Sequence, residues 1–435
     1  MYSKMLFLSC VALQYISALG AADEWSLHLL AQDADQGSVC LDGSPGAVYI
    51  KPGIGVDMDR WILFFEGGGW CQSLEDCRQR APTVLGSSRN YSRTTTHWAS
   101  RDLLNTNCTI NPKFCNYSSA YAPYCDGVSR SSNALAPVQV GNEQLYFRGY
   151  RILVETIAAL LQRPGLAGAP SLADATELLV SGSSAGGLTT YLHIDTIAAA
   201  VRAANPTIVI KAVPEVGFFI NGNSIWGGAR LQTDAFARLA AFANVTGGLP
   251  EQVNSACVTN TTPALRWQCF MAQYTLPYIQ TPTFMLNSVV DQWQTQHILA
   301  PDPNTTVTVV PYAPFLPCIH APMTACNKTQ KLQWTNYSSQ FLDALAAARE
   351  ATPPEVAERS GGFITSCPIH TTAISGISHR IKIGGVSMYE ALVKWYTSPV
   401  LSGTPKGGDW TFDVAYPGDK SCPSPAEVDA ALAFA

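Results

Sequence analysis

Short apolar runs alternate with stretches of helical spacing through most of the chain, and each run gives way to glycine or polar residues. Trp61-Ile-Leu-Phe-Phe65 is apolar and β-favouring and leads into Glu66-Gly-Gly-Gly69-Trp70-Cys71. Ser119–Tyr124 reads as another short strand, ending at Cys125-Asp126-Gly127. Glu177–Ser181, Thr207–Val213 and Pro282–Val290 are further strand candidates, and Gly361–Ile369 supplies a short strand and turn before strand-like Ile381–Ile383. Between them, Gln144–Leu161 predicts a helix closed by Gln162-Arg-Pro-Gly165. Leu188, Leu192, the Thr196/Ile197 pair and Val201 recur near helical spacing as far as about Ala204, and residues 228–280 look helical. Strands alternating with helices predict an α/β chain with a mostly parallel central sheet and helices on both faces. Residues 79–118 break the rhythm, being polar, and read as a surface excursion.

The junction after Ser181 carries the first chemistry. Gly182-Ser183-Ser184-Ala185-Gly186 is a G-x-S-x-G frame with a strand before it and a helix after it, the context of a nucleophile elbow. A serine on so tight a turn stands clear of the sheet, and its neighbours must be small for the turn to close. The helix start also places backbone N–H groups and a positive dipole end beside the reacting atom. Ser183 is the rival hydroxyl, but it occupies the variable place, so Ser184 is the expected nucleophile. The alternative is a plain Gly-Ser turn.

An elbow of this kind predicts an α/β-hydrolase fold, in which the acid and the histidine follow the serine in that order. Asp291, at the end of the 282–290 strand, fits the acid. Asp302 lies in a Pro-rich loop and Asp343 in a predicted helix, and Asp291 could equally serve as a helix N-cap. Four histidines follow: His297, too near Asp291; His320, inside the Cys318–Cys326 loop; His370, after a strand and turn with Cys367 beside it; and His379, ahead of Arg380. His370 is the expected base. Asp126 precedes a glycine, as turn residues do, and is left out of the catalytic set. Three glycines after the 61–65 strand leave backbone N–H groups unshielded, so Gly68 and Gly69, with Ala185, are the expected oxyanion donors. A glycine turn leading into the Cys71–Cys77 loop is the alternative. Phe218 and Phe219 lie just past a strand end, where they line a pocket or pack in the core.

Composition then sets the compartment. Lys4, the apolar Met5–Ile16 run and small residues at Ala18-Leu19-Gly20 describe a signal peptide over residues 1–20, too short for a membrane span. Residues 21–435 are expected to form a single domain. Thirteen cysteines less Cys10 leave twelve, enough for six disulfides in an oxidising compartment. Close spacing pairs Cys71 with Cys77, Cys108 with Cys115, Cys257 with Cys269 and Cys318 with Cys326; residues 228–280, with the Cys257/Cys269 pair, suit a disulfide-rich helical or loop cap. Cys40, Cys125, Cys367 and Cys422 remain for long-range links. No CxxC pair supports a zinc site, and no metal or cofactor is expected. Eight N-x-S/T sequons (Asn90, Asn107, Asn116, Asn244, Asn260, Asn304, Asn327, Asn336) point to a secreted glycoprotein. Charged residues make up 14% of the chain against a usual ~25%, which leaves ample material for one large core. The formal net charge of −5 gives no reason to expect nucleic acid or an anionic membrane as partner.

Taken together, Val39-Cys-Leu-Asp-Gly-Ser44, Phe65-Glu-Gly-Gly-Gly-Trp-Cys71, Tyr124-Cys-Asp-Gly127, Phe147-Arg-Gly149, Gly182–Gly187 and Gly217-Phe-Phe219 resemble the pectin acetylesterase family, which also includes animal carboxylesterases of the Notum type. The resemblance runs in order from about residue 38 to 372. It implies an α/β-hydrolase with a Ser184–Asp291–His370 triad, an oxyanion hole at Gly68, Gly69 and Ala185, and no cofactor. Two departures stand out: Ser183 replaces the usual plant cysteine, and Thr371-Thr372-Ala373 follow His370 where plant members carry a second cysteine. Gly69 directly before Trp70 is closer to the plant enzymes. The expectation is therefore a secreted, monomeric esterase deacetylating a cell-wall polysaccharide such as pectin. The competing readings are removal of a longer acyl chain from a protein or lipid, and an inactive binding protein on a hydrolase scaffold.

Overall fold

The computed structural model describes residues 23–30, 37–243, 252–305, 308–320, 325–370, 377–398, 408–413 and 422. The expected signal peptide and the Asn244 sequon lie outside them. Ten strands form the main sheet: β1 (Trp25–Leu29), β2 (Ala47–Lys51), β3 (Arg60–Phe65), β4 (Thr94–Thr95), β5 (Ser118–Ala122), β6 (Glu177–Ser183), β7 (Val209–Glu215), β8 (Phe284–Ser288), β9 (Gly361–Thr365) and β10 (Asp409–Phe412). Their spatial order is β10-β9-β8-β7-β6-β3-β5-β2-β1-β4. Pairing is parallel from β10 through β5 and antiparallel at the β2, β1 and β4 edge.

Alternation along the central strands explains why they read as continuous apolar runs. Trp61, Leu63 and Phe65 of β3 and Leu178 and Val180 of β6 join one core cluster, while Ile62, Phe64 and Leu179 join another on the opposite face. A parallel strand buried on both faces has no polar side to show. Helices α1 (Leu74–Arg80), α2 (Gly149–Leu160), α3 (Ala185–Ala204), α4 (Leu231–Phe242), α5 (Lys328–Glu350) and α6 (Met388–Thr397) complete the framework. The first face is covered by α2, α3, α4 and α5. On the second face, α6 contributes Met388, Leu392 and Trp395. Capping boxes at Asn327 and Ser387 start α5 and α6, each contributing about 1 kcal/mol.

Two expectations are corrected. The helix expected over Gln144–Leu161 starts only at Gly149, because Glu143–Leu145 pairs antiparallel with Val138–Val140. Residues 79–118 are also more than a surface excursion. Trp98, Leu103, Leu104, Phe114 and Tyr117 are buried and cover the second face of the sheet beside α6. Trp98 stacks on Tyr121 of β5 with ring centroids 3.8 Å apart.

All four locally spaced disulfides form as expected. The remaining cysteines pair Cys40 with Cys125 and Cys367 with Cys422. The latter joins Cys367 to a cysteine 55 residues later in the chain.

Candidate active site

β6 ends at Ser183 and α3 begins at Ala185, so Ser184 alone makes the turn between them. Its backbone sits at φ 57° and ψ −121°, a region costly to a side-chain-bearing residue by about 1–3 kcal/mol. Surrounding contacts hold it there. Ser184 N–H donates to Glu215 C=O at 3.0 Å. A Cβ on Gly182 would lie 2.4 Å from Gly186 O, and one on Gly186 would lie 2.1 Å from Phe65 O at the end of β3. Small residues are therefore a steric requirement of the elbow. Ser183 is fully buried, and its Oγ has no hydrogen-bond partner among the described residues.

The expected acid and base reach Ser184 from later strands. Asp291 lies three residues beyond β8 and is fully buried. His370 follows β9 and the Cys367–Cys422 bridge. His370 Nδ1 lies 2.7 Å from Asp291 Oδ2, and Nε2 lies 2.8 Å from Ser184 Oγ. A carboxylate can only accept, so the imidazole proton belongs on Nδ1 and Nε2 is left to accept from the serine hydroxyl. Asp291 is also the helix N-cap that its sequence position allowed: Oδ1 accepts from Gln294 N–H at 2.9 Å. The two roles are compatible, since the cap bond fixes the carboxylate that faces the imidazole. Gln294 is itself held, donating to Phe218 C=O and accepting from Ile220 N–H and Tyr337 Oη–H.

The rival groups lie elsewhere. Asp343 is exposed on α5, and Asp302 accepts from Asn304 N–H in its own turn. His297 donates from Nδ1 to Trp293 C=O and stacks on that indole; burial pushes it down to about 4. His379 packs on Tyr389. The side chain of His320 lies outside the described set. Phe219 combines both expected roles, buried in the core yet 6.5 Å, ring to ring, from His370. Asp126 is a structural anchor, accepting from Val128 and Arg130 N–H.

The glycine loop runs beside the elbow. The N–H groups of Gly68, Gly69 and Ala185 donate to no acceptor among the described residues. The peptides of this loop are fixed from behind. Arg80 Nη1 donates to Gly68 C=O at 2.8 Å, which sets the plane of the peptide bearing the Gly69 N–H. Tyr124 Oη donates to Gly69 C=O at 2.8 Å and accepts from Ser129 N–H. Trp70 Nε1 donates to Ser129 Oγ, which donates to Ala185 C=O, both at 2.8 Å. One serine thus ties the glycine loop to the first turn of α3. Gly69, at φ 64°, has the left-handed backbone that glycine adopts without cost.

Ser184 and His370 open into a cavity of about 540 Å³ whose walls include Gln72, Arg80, His97, Arg101, Trp293 and Val309. The sequence reading missed Arg80, His97, Arg101 and Trp293. Only Arg80 had a usable signal, as the last residue of a helix leashed to the glycine loop by the Cys71–Cys77 disulfide. From the described part of the 228–280 segment, Phe236 packs against Trp70 beside the glycine loop, and Phe270 packs against Phe236.

A strained serine between a parallel strand and a helix, faced by a histidine and a buried aspartate from later strands, defines an α/β-hydrolase, and the relatives place the chain among the carboxylic-ester hydrolases. The Pectinacetylesterase family profile matches residues 20–423, past the point where the motifs fade, and the chain belongs to that family. Pectin acetylesterase 11 of Arabidopsis thaliana is 30% identical over 372 residues, covering 85% of this chain and 84% of that protein. Human palmitoleoyl-protein carboxylesterase NOTUM is 29% identical over 287 residues, covering 64% of this chain and 53% of that one. The crystal structure of the Wnt deacylase Notum from Drosophila shares the fold, with a TM-score of 0.69 at 21% identity over 92% of this chain and all of that one.

Proposed function

We propose that the chain is a secreted serine esterase that removes short acyl groups, acetyl above all, from a cell-wall polysaccharide such as pectin. The observation that carries this reading is the hydrogen-bonded line from Ser184 Oγ through His370 to Asp291. Ser184 Oγ attacks the ester carbonyl as His370 Nε2 takes its proton, and Asp291 stabilises the imidazolium without becoming protonated. Gly68, Gly69 and Ala185 N–H receive the tetrahedral oxyanion. Losing one such donor typically costs about 10²–10³-fold in kcat. His370 then protonates the departing sugar hydroxyl, and water activated by the same ring releases the acid. No step calls on a metal or an organic cofactor.

A polar sugar carrying a short acyl group is matched by Gln72, Arg80, His97 and Arg101, which line the cavity beside apolar Trp70, Trp293 and Val309. Export is supported by six disulfides and by sequon asparagines at 90, 107, 260, 304, 327 and 336 on exposed surface. Among the described residues no helix is long and apolar enough to cross a membrane. Labelling by a fluorophosphonate probe tests the nucleophile. The wild type should label stoichiometrically and Ser184→Ala should not; absence of labelling in a folded wild type would favour the inactive-scaffold reading.

A further inference from the structure

The cavity that Ser184 and His370 line also holds a cation that the ester chemistry leaves unused. Arg101 retains only 9% of its surface exposure, yet it lines the cavity into which Ser184 and His370 open. Its Nη2 donates to His97 Nε2 at 2.6 Å. Burial, and then the neighbouring guanidinium, hold His97 below its ordinary range, so it buttresses Arg101 as a neutral ring. Nε and Nη1 have no acceptor among the described residues.

A guanidinium this deep normally has a carboxylate bonded to it, because a buried charge left without a partner is costly. None of the ion pairs among the described residues includes Arg101. Two acids share its wall: Glu66 attracts Arg101 through space with no hydrogen bond between them among the described residues, its Oε2 accepting from Tyr124 N–H, and Asp76 Oδ2 accepts from Gln72 N–H. Arg80, the other cation there, gives its Nη1 to Gly68 C=O. What Arg101 lacks is a hydrogen-bonded carboxylate on Nε or Nη1, and the cavity is the route by which one can arrive.

We propose that Arg101 is a specificity residue that binds a carboxylate carried by the acylated substrate, so that the enzyme selects esters on acidic sugars over the same esters on neutral ones. This rests on the esterase reading above and adds the group that reads the substrate's charge. A carboxylate suits the site because its two oxygens match the planar fork of donors that one guanidinium presents.

The test compares an acetylated oligogalacturonate with the same oligomer after methyl esterification, which removes the charge and keeps the acetyl ester. The wild type should prefer the free acid by about 10- to 100-fold in kcat/KM, the range of one charged hydrogen-bonded contact. Arg101→Gln should collapse that preference, and Arg101→Lys should restore part of it. Equal rates on both oligomers, or a preference that survives in Arg101→Gln, would overturn the proposal while leaving the esterase intact. Turnover of neither oligomer would instead defeat the esterase reading, and calorimetry then decides the subsite alone. Unacetylated oligogalacturonate should bind the Ser184→Ala protein and not the Ser184→Ala, Arg101→Gln double variant; equal binding by the two, or by neither, would refute the subsite.

Discussion

The two walls of the cavity are built on opposite principles. On one, Ser184, Asp291 and His370 each stand just beyond a parallel strand, β6, β8 and β9, and their backbone is held by the sheet itself. On the other, His97 and Arg101 belong to the irregular chain between β4 and β5, held by aromatic stacking and long-range hydrogen bonds. Strand ends fix atoms closely enough for proton transfer, and loops on a rigid scaffold carry what the substrate must match. The difference teaches that reaction and selectivity should separate in this enzyme.

The largest break should come from Asp291→Asn, which keeps the cap bond to Gln294 but offers His370 a donor in place of an acceptor. We expect kcat to fall by about 10⁴-fold with the fold intact; kinetics beside a thermal melt check both halves. On the loop wall, Trp98→Ala removes the ring stacked on Tyr121 and should lower stability by about 3–5 kcal/mol, read by denaturant unfolding. If instead it lowered kcat at unchanged stability, the two walls would not be separable. Arg80→Met sharpens the boundary between them. It frees the peptide that presents the Gly69 N–H, so kcat should drop about 10-fold, less than for a lost oxyanion donor, with KM little changed.

The smallest effect concerns Asp102, next to Arg101. Burial raises its carboxyl from the ordinary 3.8 to about 7, against the bond it accepts from Ser378 N–H. The native state therefore holds that proton more tightly than the unfolded chain. Its contribution to stability is complete below about pH 4 and is lost as pH rises through 7. Asp102→Asn removes the titration, so its melting temperature should gain on the wild type by a few degrees between about pH 4 and 8. A pH-independent difference would show that Asp102 does not carry the slope.

The triad wall was legible because strand periodicity, glycine and chain order all mark it. Ser184 announces itself through glycines whose Cβ atoms would collide with backbone. Asp291 and His370 follow from the order of elements. The Asp291 alternatives, cap or acid, could not be separated by sequence because one carboxylate oxygen caps the helix while the other faces His370. The loop wall was illegible for an equally physical reason. Its polar residues look solvated in sequence, but their partners lie far along the chain. Ser378 N–H donates to Asp102 across 276 residues, and Tyr389 Oη donates to Asn111 across 278. No local pattern records such pairings. The start of α2 was misplaced similarly, since Glu143–Leu145 follows strand pairing over helical spacing.

The measurement that tests the central claim most directly is hydrolysis of p-nitrophenyl esters from acetate to palmitate by the wild type beside Ser184→Ala. The account predicts a rate that peaks at acetate, falls by hexanoate, and drops by about 10⁴–10⁶-fold in Ser184→Ala. A peak at octanoate or longer, or activity retained by Ser184→Ala, would contradict it.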